Sequence, residues 1–189
     1  FAVAIEPHGE WVAHVDVVTA LGATGERRDR PKYGPGRKEP RPDMARGLDA
    51  WLGDAPGLQC DWEPLTDAYR RSLVDLAALR FTTRTLPGHA LPAAGLPWFM
   101  TLFGRDSILT SLQALPFAPE LAATTLRALG ERQGTRIDDF RDEDPGRILH
   151  EMRYGELTAF EERPHSPYYG SADVTPLYVV LLDEYDRWT

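Results

Sequence analysis

The chain has 189 residues, of which 42% are hydrophobic and 26% are charged, a globular composition that argues against a mainly disordered or fibrous protein. Its net charge of −8 argues against non-specific nucleic-acid binding, because the phosphate backbone would be repelled. No apolar run approaches the roughly 20 residues that a bilayer requires, and the single cysteine, Cys60, excludes an internal disulfide framework and an all-cysteine zinc site.

Residues 1–21 are predicted to form strand. Apolar residues alternate with alanine at the start, residues 7–10 are turn-like, and residues 11–18 are again rich in valine. Because two strands alone are marginal in water, we interpret them as the last strands of a β-domain whose remainder lies upstream. The chain begins without Met inside this stretch and stops just after an amphipathic run, so we expect it to be a piece of a longer protein.

Residues 22–60 are predicted to form a linker or a long exposed loop. This segment contains many basic residues, glycines and prolines, and it has too few apolar residues to form a core. Within this segment, residues 43–52 are predicted as a short helix with Asp43 as its N-cap. Residues 61–189 then change to a helical pattern, in which apolar side chains recur at i, i+4 and i+8 and predict a helix over residues 64–80.

Three more helices are predicted farther along the chain. Residues 81–95 form a connection rich in Thr, Gly and Pro, and a helix over residues 107–115 follows it. The next helix covers residues 119–132 and has proline in its first turn, and the last covers residues 174–188. Residues 133–172, between these two helices, show no sustained period but contain several aromatic side chains. Ordered loops of this length tend to be functional, and we interpret this one as a binding wall.

Three clusters mix aromatic and charged side chains, and the first lies at residues 95–107. Trp98 and Phe99 precede Arg105 and Asp106, which stand at the start of a predicted helix. An acidic group there meets the positive end of the helix, so Asp106 could serve only as a cap. Alternatively, Arg105 and Asp106 bind a polar ligand above the two aromatic rings.

The second cluster, at residues 144–156, places Glu151 and Arg153 among apolar residues. One interpretation is a salt bridge between Glu151 and an arginine, and the other is a carboxylate in a pocket. A zinc site is a weaker interpretation, because no second histidine follows His150 at the required spacing.

The third cluster, at residues 164–176, repeats the plan of the first. Tyr168 and Tyr169 lead through a glycine to Asp173 at the start of a helix. Asp173 is either the N-cap of that helix or a second acid in the same pocket.

The chemistry that fits these clusters is sugar binding. A pyranose ring has apolar C–H faces, which pack on aromatic rings, and a rim of hydroxyls, which pair with Asp, Glu and Arg. Hydrolysis of a glycosidic bond then needs two carboxyls, about 5–5.5 Å apart for retention or about 6.5–9.5 Å apart for inversion. The sequence has no nucleophile elbow, P-loop or dinucleotide-binding fingerprint, and we expect neither a metal nor a cofactor.

Five short motifs stand in order within residues 61–189. They are YRRSL (69–73), GLPWF (95–99), GRDS (104–107), GRILHE (146–151) and YYGSAD (168–173). In this order they resemble the bacterial glycogen-debranching, amylo-α-1,6-glucosidase-like glycoside hydrolases, and residues 1–21 are similar to the end of that family's N-terminal β-domain. The resemblance implies a mainly α fold in which residues 61–189 form the first third of an (α/α)6 toroid of twelve helices.

The resemblance also implies roles for individual residues. Asp106, with Arg105 beside it, is expected to bind the terminal sugar ring, and Asp173, Tyr168 and Tyr169 are expected to form the next wall of the pocket. The general acid and base of the family lie on later helices, so no catalytic residue is assigned here, and this piece alone is expected to be inactive.

The implied enzyme is a cytoplasmic, inverting hydrolase of α-glucans or α-glucosides. Its partners would be an oligo- or polysaccharide substrate and the remainder of the same polypeptide, with no nucleic acid and no membrane. One alternative is another toroid hydrolase with a trehalose-like or mannosyl-glycerate-like substrate. A second alternative is a non-catalytic carbohydrate-binding or helical interaction domain, which the sequence downstream would distinguish from an enzyme.

Overall fold

The computed structural model describes residues 3–9, 11, 42–82 and 90–189, and the chain divides into two compact units, Phe1–Ala45 and Arg46–Thr189. In the first unit the predicted turn is present at Pro7 and His8, where the Gly9 amide donates to the Glu6 carbonyl at 2.8 Å. Residues 3–6, predicted as strand, form no strand with any residue in the described part of the chain. The other predicted strand residues, apart from Trp11, and the connector up to residue 41 lie outside the described residues.

The described part of the chain is mainly helical. Its helices are α1 (Pro42–Asp54), α2 (Glu63–Leu79), α3 (Gly104–Ala114), α4 (Pro119–Gly130), α5 (Glu156–Ala159) and α6 (Val174–Trp188). Two short strands, β1 (Arg80–Thr82) and β2 (Ala90–Pro92), pair antiparallel with Phe81 opposite Leu91. Among these helices, none combines the length and the apolar character needed to cross a membrane.

The predicted helices are confirmed, with changes of one to three residues at several of their ends. The helix predicted over residues 174–188 has the bounds of α6, whereas α3 begins three residues earlier than predicted. Asp106 therefore lies inside the first turn of α3, and Phe103, in extended conformation, is its N-cap residue. Helix α1 begins at a proline, which is favoured at the first helical position, so the prediction that Asp43 is the N-cap is wrong.

The main core of the second unit lies where α3, α4 and α6 pack together. Ile108, Leu129 and Leu181, one from each helix, are fully buried there. Two buried hydroxyls join α3 to α4, because Ser111 Oγ and Thr125 Oγ1 lie 2.9 Å apart and satisfy each other. This arrangement fixes the relative positions of the three helices, and with them the ends that carry the predicted site.

A second cluster of buried side chains joins α1 to α2 and α4. Trp51 of α1 is buried with Leu121 of α4, and its indole N–H donates to the Leu73 carbonyl of α2 at 2.9 Å. Leu48, Trp51 and Leu52 form one apolar face of α1 at i, i+3 and i+4 spacing. Residues 46–54 of this helix, predicted within the linker, thus pack in the second unit together with residues 61–189.

The long segment after α4 is ordered without being regular. Between α4 and α6 it contains α5, a helix of four residues, and several isolated bridges. Glu151 pairs with Phe103 on one side and with Tyr168 on the other, both antiparallel. These bridges attach the middle of the segment to the start of α3.

Candidate functional site

Backbone hydrogen bonds bring together the three sequence clusters at the start of α3. The Gly104 amide donates to the His150 carbonyl at 2.7 Å, and the Met152 amide donates to the Leu102 carbonyl at 3.0 Å. On the other side, the Tyr168 amide donates to the Glu151 carbonyl at 3.0 Å. Residues far apart in sequence therefore become neighbours through short stretches of ladder.

Helices α3 and α6 begin side by side. A Cβ atom at Gly104, the first residue of α3, would lie 2.6 Å from Cγ1 of Val174, the first residue of α6, and closer still to the Leu149 carbonyl oxygen. Real Cβ atoms do not approach other atoms this closely, so only glycine permits this contact. Because both helices start here, their positive N-terminal ends lie at the same place.

An ion pair spans these two helix starts. Arg105 Nη1 of α3 lies 3.0 Å from Asp173 Oδ2, and the side chains are 47% and 42% exposed. Asp173 also accepts a hydrogen bond from the Ser171 hydroxyl. That bond and the guanidinium of Arg105 lower the pKa of Asp173, and the hydrogen bond to Asp173 raises the pKa of Arg105. Both groups are therefore charged at neutral pH and accessible to a ligand.

Neither acid caps its helix. Asp173 stands at the N-cap position of α6, but its side chain makes no capping hydrogen bond. Asp106 is half-buried in the first turn of α3, and the N-cap residue there is Phe103. Within the described residues its carboxylate has no hydrogen-bond or ion-pair partner, although its charge acts on Arg105. The capping interpretation of these two acids is therefore not the one that the contacts favour.

Glu151 is placed differently from the other two acids. Its side chain is 8% exposed and lies 2.7 Å from Arg153 Nε and 2.6 Å from His165 Nδ1. The contact with Arg153 is an aligned hydrogen bond, whereas the His165 nitrogen is close but not aligned for one. A buried carboxylate needs such partners, so Glu151 matches the salt-bridge interpretation rather than that of a free pocket acid.

Aromatic rings form a continuous row beside this buried carboxylate. Ring centroids are 5.7 Å apart for Phe99 and Phe103, 6.1 Å for Phe103 and His150, 6.3 Å for His150 and Tyr168, and 5.5 Å for Tyr168 and His165, all nearly edge-on. Edge-to-face contacts of this kind are favourable for aromatic pairs.

The two histidines of this row were not among the predicted site residues. The sequence could have indicated His150, because it directly precedes Glu151 in the GRILHE motif. The sequence gives less indication of His165, because its contact with Glu151 depends on the pairing of two segments that are apart in the chain. The His150 Nδ1 atom is buried and has no hydrogen-bond partner among the described residues.

Arg153 connects the aromatic row to the buried carboxylate. Its guanidinium carbon lies 5.3 Å from the centroids of both Phe99 and Phe103, within the range of a cation–π contact. Because Arg153 Nε also donates a hydrogen bond to Glu151, the guanidinium is held in place beside the Phe99 ring.

The remaining predicted residues divide between the surface and the core. Trp98 is 79% exposed, on a turn closed by hydrogen bonds between Gly95 and Phe99. The Tyr168 hydroxyl donates a hydrogen bond to Asp142 at 2.7 Å, and this bond raises the pKa of Tyr168. Tyr169 is 4% exposed and belongs to the core, so the structure does not place it on a pocket wall.

A cavity in this unit lies away from these residues. It has a volume of about 410 Å³ and is bounded by α1, the β1–β2 pair and α4, and none of the predicted site residues lines it. Arg105 and Asp173, at the starts of α3 and α6, are instead exposed side chains outside this cavity. Across the described ranges, no three His, Cys, Asp or Glu side chains are grouped so that they could hold a metal ion.

Comparison with known proteins leaves the family undecided. No model of a known protein family matches the chain, and no curated protein sequence matches it significantly. The resemblance carried by the five motifs therefore stays a prediction.

Proposed function

We propose that this chain supplies part of the glucose-binding site of an amylo-α-1,6-glucosidase-like glycoside hydrolase that acts on α-glucans or α-glucosides. The observation that carries the proposal is the meeting of two helix starts, where exposed Arg105 pairs with Asp173 and also feels the charge of half-buried Asp106. In this proposal, residues 61–189 form the N-terminal third of an (α/α)6 toroid, and the enzyme is cytoplasmic. Oligo- or polysaccharide and the remainder of the polypeptide are its partners.

The three charged side chains have complementary roles toward a sugar. A carboxylate accepts hydrogen bonds from sugar hydroxyls, and a guanidinium donates to their oxygens. Asp106 has its lone pairs free of protein partners in the described structure, so it is the group best able to accept from a hydroxyl. Asp173 and Arg105 hold each other in place and leave further hydrogen-bonding positions unused.

Two exposed aromatic side chains supply the apolar part of the site. Trp98 projects from its turn, and Phe99 is fixed by Arg153 beside the start of α3. The C–H face of a pyranose packs favourably on such rings while its hydroxyls reach the charged groups. The mixture of an aromatic surface with accessible charges is the reason to prefer a sugar over a purely anionic or purely apolar ligand.

The proposed reaction proceeds with inversion. A base activates a water molecule that attacks the anomeric carbon, while an acid protonates the leaving oxygen. We place that acid and base on later helices, so Asp106, Arg105 and Asp173 bind and orient the sugar. We also place Glu151 outside this chemistry, because its carboxylate is buried against Arg153.

Maltose binding by the chain tests the proposal directly, with titration calorimetry as the measurement. Asp106→Asn keeps the size of the side chain and removes its charge, which is worth about 1.5–3 kcal/mol in a charged hydrogen bond, so we expect roughly 10- to 150-fold weaker binding. Asp183→Asn, on the exposed surface of α6, is the matched control and should bind maltose like the unaltered chain. Equal affinities for all three proteins would contradict the proposal.

Kinetics of the complete polypeptide distinguish the alternatives. We expect Asp106→Asn to lower kcat/KM on maltooligosaccharides and to retain a bell-shaped pH dependence, because the acid and base are unchanged. Loss of one limb of the profile would make Asp106 catalytic. Preference for trehalose or mannosyl-glycerate would favour the other toroid hydrolases, and maltose binding without any hydrolysis would favour a non-catalytic binding domain.

A further inference from the structure

The cavity between α1, the β1–β2 pair and α4 has the size and lining of a small-molecule site. Its volume of about 410 Å³ lies within the range of ligand pockets. Its wall has an apolar part, made by Trp51, Phe117 and Leu121, and a charged part, made by Arg80, Glu120 and Asp54.

The cation in this wall is fixed but incompletely paired. The Arg80 guanidinium carbon lies 4.0 Å from the centroid of the Trp51 ring, and that ring is itself held by its hydrogen bond to Leu73. The Arg80 Nε atom is buried without a hydrogen-bond partner, and within the described residues Arg80 makes no ion pair. Burial lowers the pKa of Arg80, and the charge of Glu120 acts in the opposite direction.

Opposite charges therefore face the same cavity without meeting. Glu120 is the acid whose charge acts on Arg80, yet no nitrogen–oxygen contact within 4.0 Å joins them. Asp54 adds a second carboxylate to the lining, and both acids are exposed. A simple anion would be attracted by Arg80 and repelled by the two acids, whereas a molecule with one charge of each sign would be attracted at both ends.

We infer that this cavity binds a small zwitterion, an α-amino acid with an apolar side chain. Its carboxylate pairs with the Arg80 guanidinium, and its ammonium group pairs with Glu120, assisted by Asp54. The apolar side chain packs against Phe117 and Leu121. A ligand with both charges pairs with both sides of the cavity, whereas either charge alone leaves one side unpaired.

Titration calorimetry with L-leucine and two of its derivatives tests the inference on the chain itself. Leucinamide lacks the carboxylate, and N-acetyl-leucine lacks the ammonium group, while both keep the apolar side chain. We expect leucine to bind and each derivative to bind at least tenfold more weakly. No heat of binding with leucine at millimolar concentration, or equal binding of leucine and leucinamide, would overturn the inference.

Variants assign the two ends of the ligand. Glu120→Gln, an exposed and therefore structurally mild change, should weaken leucine binding at least tenfold, and Glu131→Gln at the other end of α4 is the matched control. Arg80→Lys keeps the charge but loses the planar fork, so we expect weaker leucine binding from a chain that still folds. Wild-type affinity in Glu120→Gln would refute the proposed ammonium contact even if Arg80→Lys failed to fold. Maltose binding should be unaltered in Glu120→Gln, which separates this site from the one at α3 and α6.

Discussion

Replacing Gly104 by alanine tests how closely α3 and α6 must approach for the proposed sugar site to exist. The added methyl group would lie 2.6 Å from Val174 Cγ1 and closer to the Leu149 carbonyl oxygen. The valine side chain is fully buried, and the carbonyl belongs to a backbone segment held by the hydrogen bond from Gly104 to His150. Neither neighbour can rotate away, so the backbone itself must move.

The expected cost follows from two opposing effects. Overpacking of a buried contact costs about 1–3 kcal/mol, and a rigid backbone neighbour places Gly104→Ala at the upper end of that range. Alanine in a helix recovers roughly 0.5–1 kcal/mol relative to glycine. We therefore expect the free energy of unfolding to fall by about 2 kcal/mol, which lowers Tm by about 4–8 °C for a unit of this size.

Thermal and urea denaturation followed by circular dichroism measure this loss. Gly53→Ala in α1 is the matched control, because no atom lies within 4 Å of its added methyl group. That variant should be as stable as the unaltered chain, or more stable by about 0.4–1 kcal/mol. If Gly104→Ala melts at the wild-type temperature, the two helix starts are not in the close contact on which the site depends.

Three further changes test the packing and the charges. Trp51→Phe removes the indole donor from the buried Leu73 carbonyl, and we expect denaturation to show a loss of about 1–3 kcal/mol. Thr125→Val should lower the free energy of unfolding by a similar amount, because it leaves the buried Ser111 hydroxyl without a hydrogen-bond partner. In a double-mutant cycle with Ser111→Ala, the two losses should not be additive. Asp173→Asn addresses pH: the pKa of the folded carboxyl lies below its ordinary value, so its stabilisation is present above about pH 4 and is lost in acid. The difference in stability from the unaltered chain should therefore be largest near neutral pH and shrink as the pH falls, and a constant difference would contradict the reasoning.

Local patterns predicted the helices whose ends are set by local interactions. Helix α6 has its predicted bounds because its apolar periodicity runs without interruption from its first residue. Helix α3 begins earlier than predicted. Phe103 pairs with Glu151 in extended conformation, and the helix starts at the next residue, Gly104. A hydrogen bond to a residue almost fifty positions away has no local signature in the sequence.

The two tyrosines at 168 and 169 show the same limit at the site. In an extended segment, successive side chains point to opposite faces, so both could not line one wall. This alternation indicates that one tyrosine side chain faces away from the core, but it does not indicate which one, because that depends on which face of the segment packs against the core. The ladder with Glu151 decides it: Tyr168 joins the aromatic row, and Tyr169 is buried and donates to the Arg132 carbonyl.

The environments of the acids separate structural groups from binding groups. Glu151 is buried, and its partners lie within the protein, so its charge is neutralised whether or not a ligand is present. The ion pair between Arg105 and Asp173 is exposed, and pairs of that kind contribute only about 0–1 kcal/mol to folding. Asp106 has no hydrogen-bond or ion-pair partner in the described structure, and its charge is favourable at a helix start. Charges that contribute so little to folding are available to a ligand, and exposed aromatic rings in the same sequence clusters are the reason that we propose a sugar.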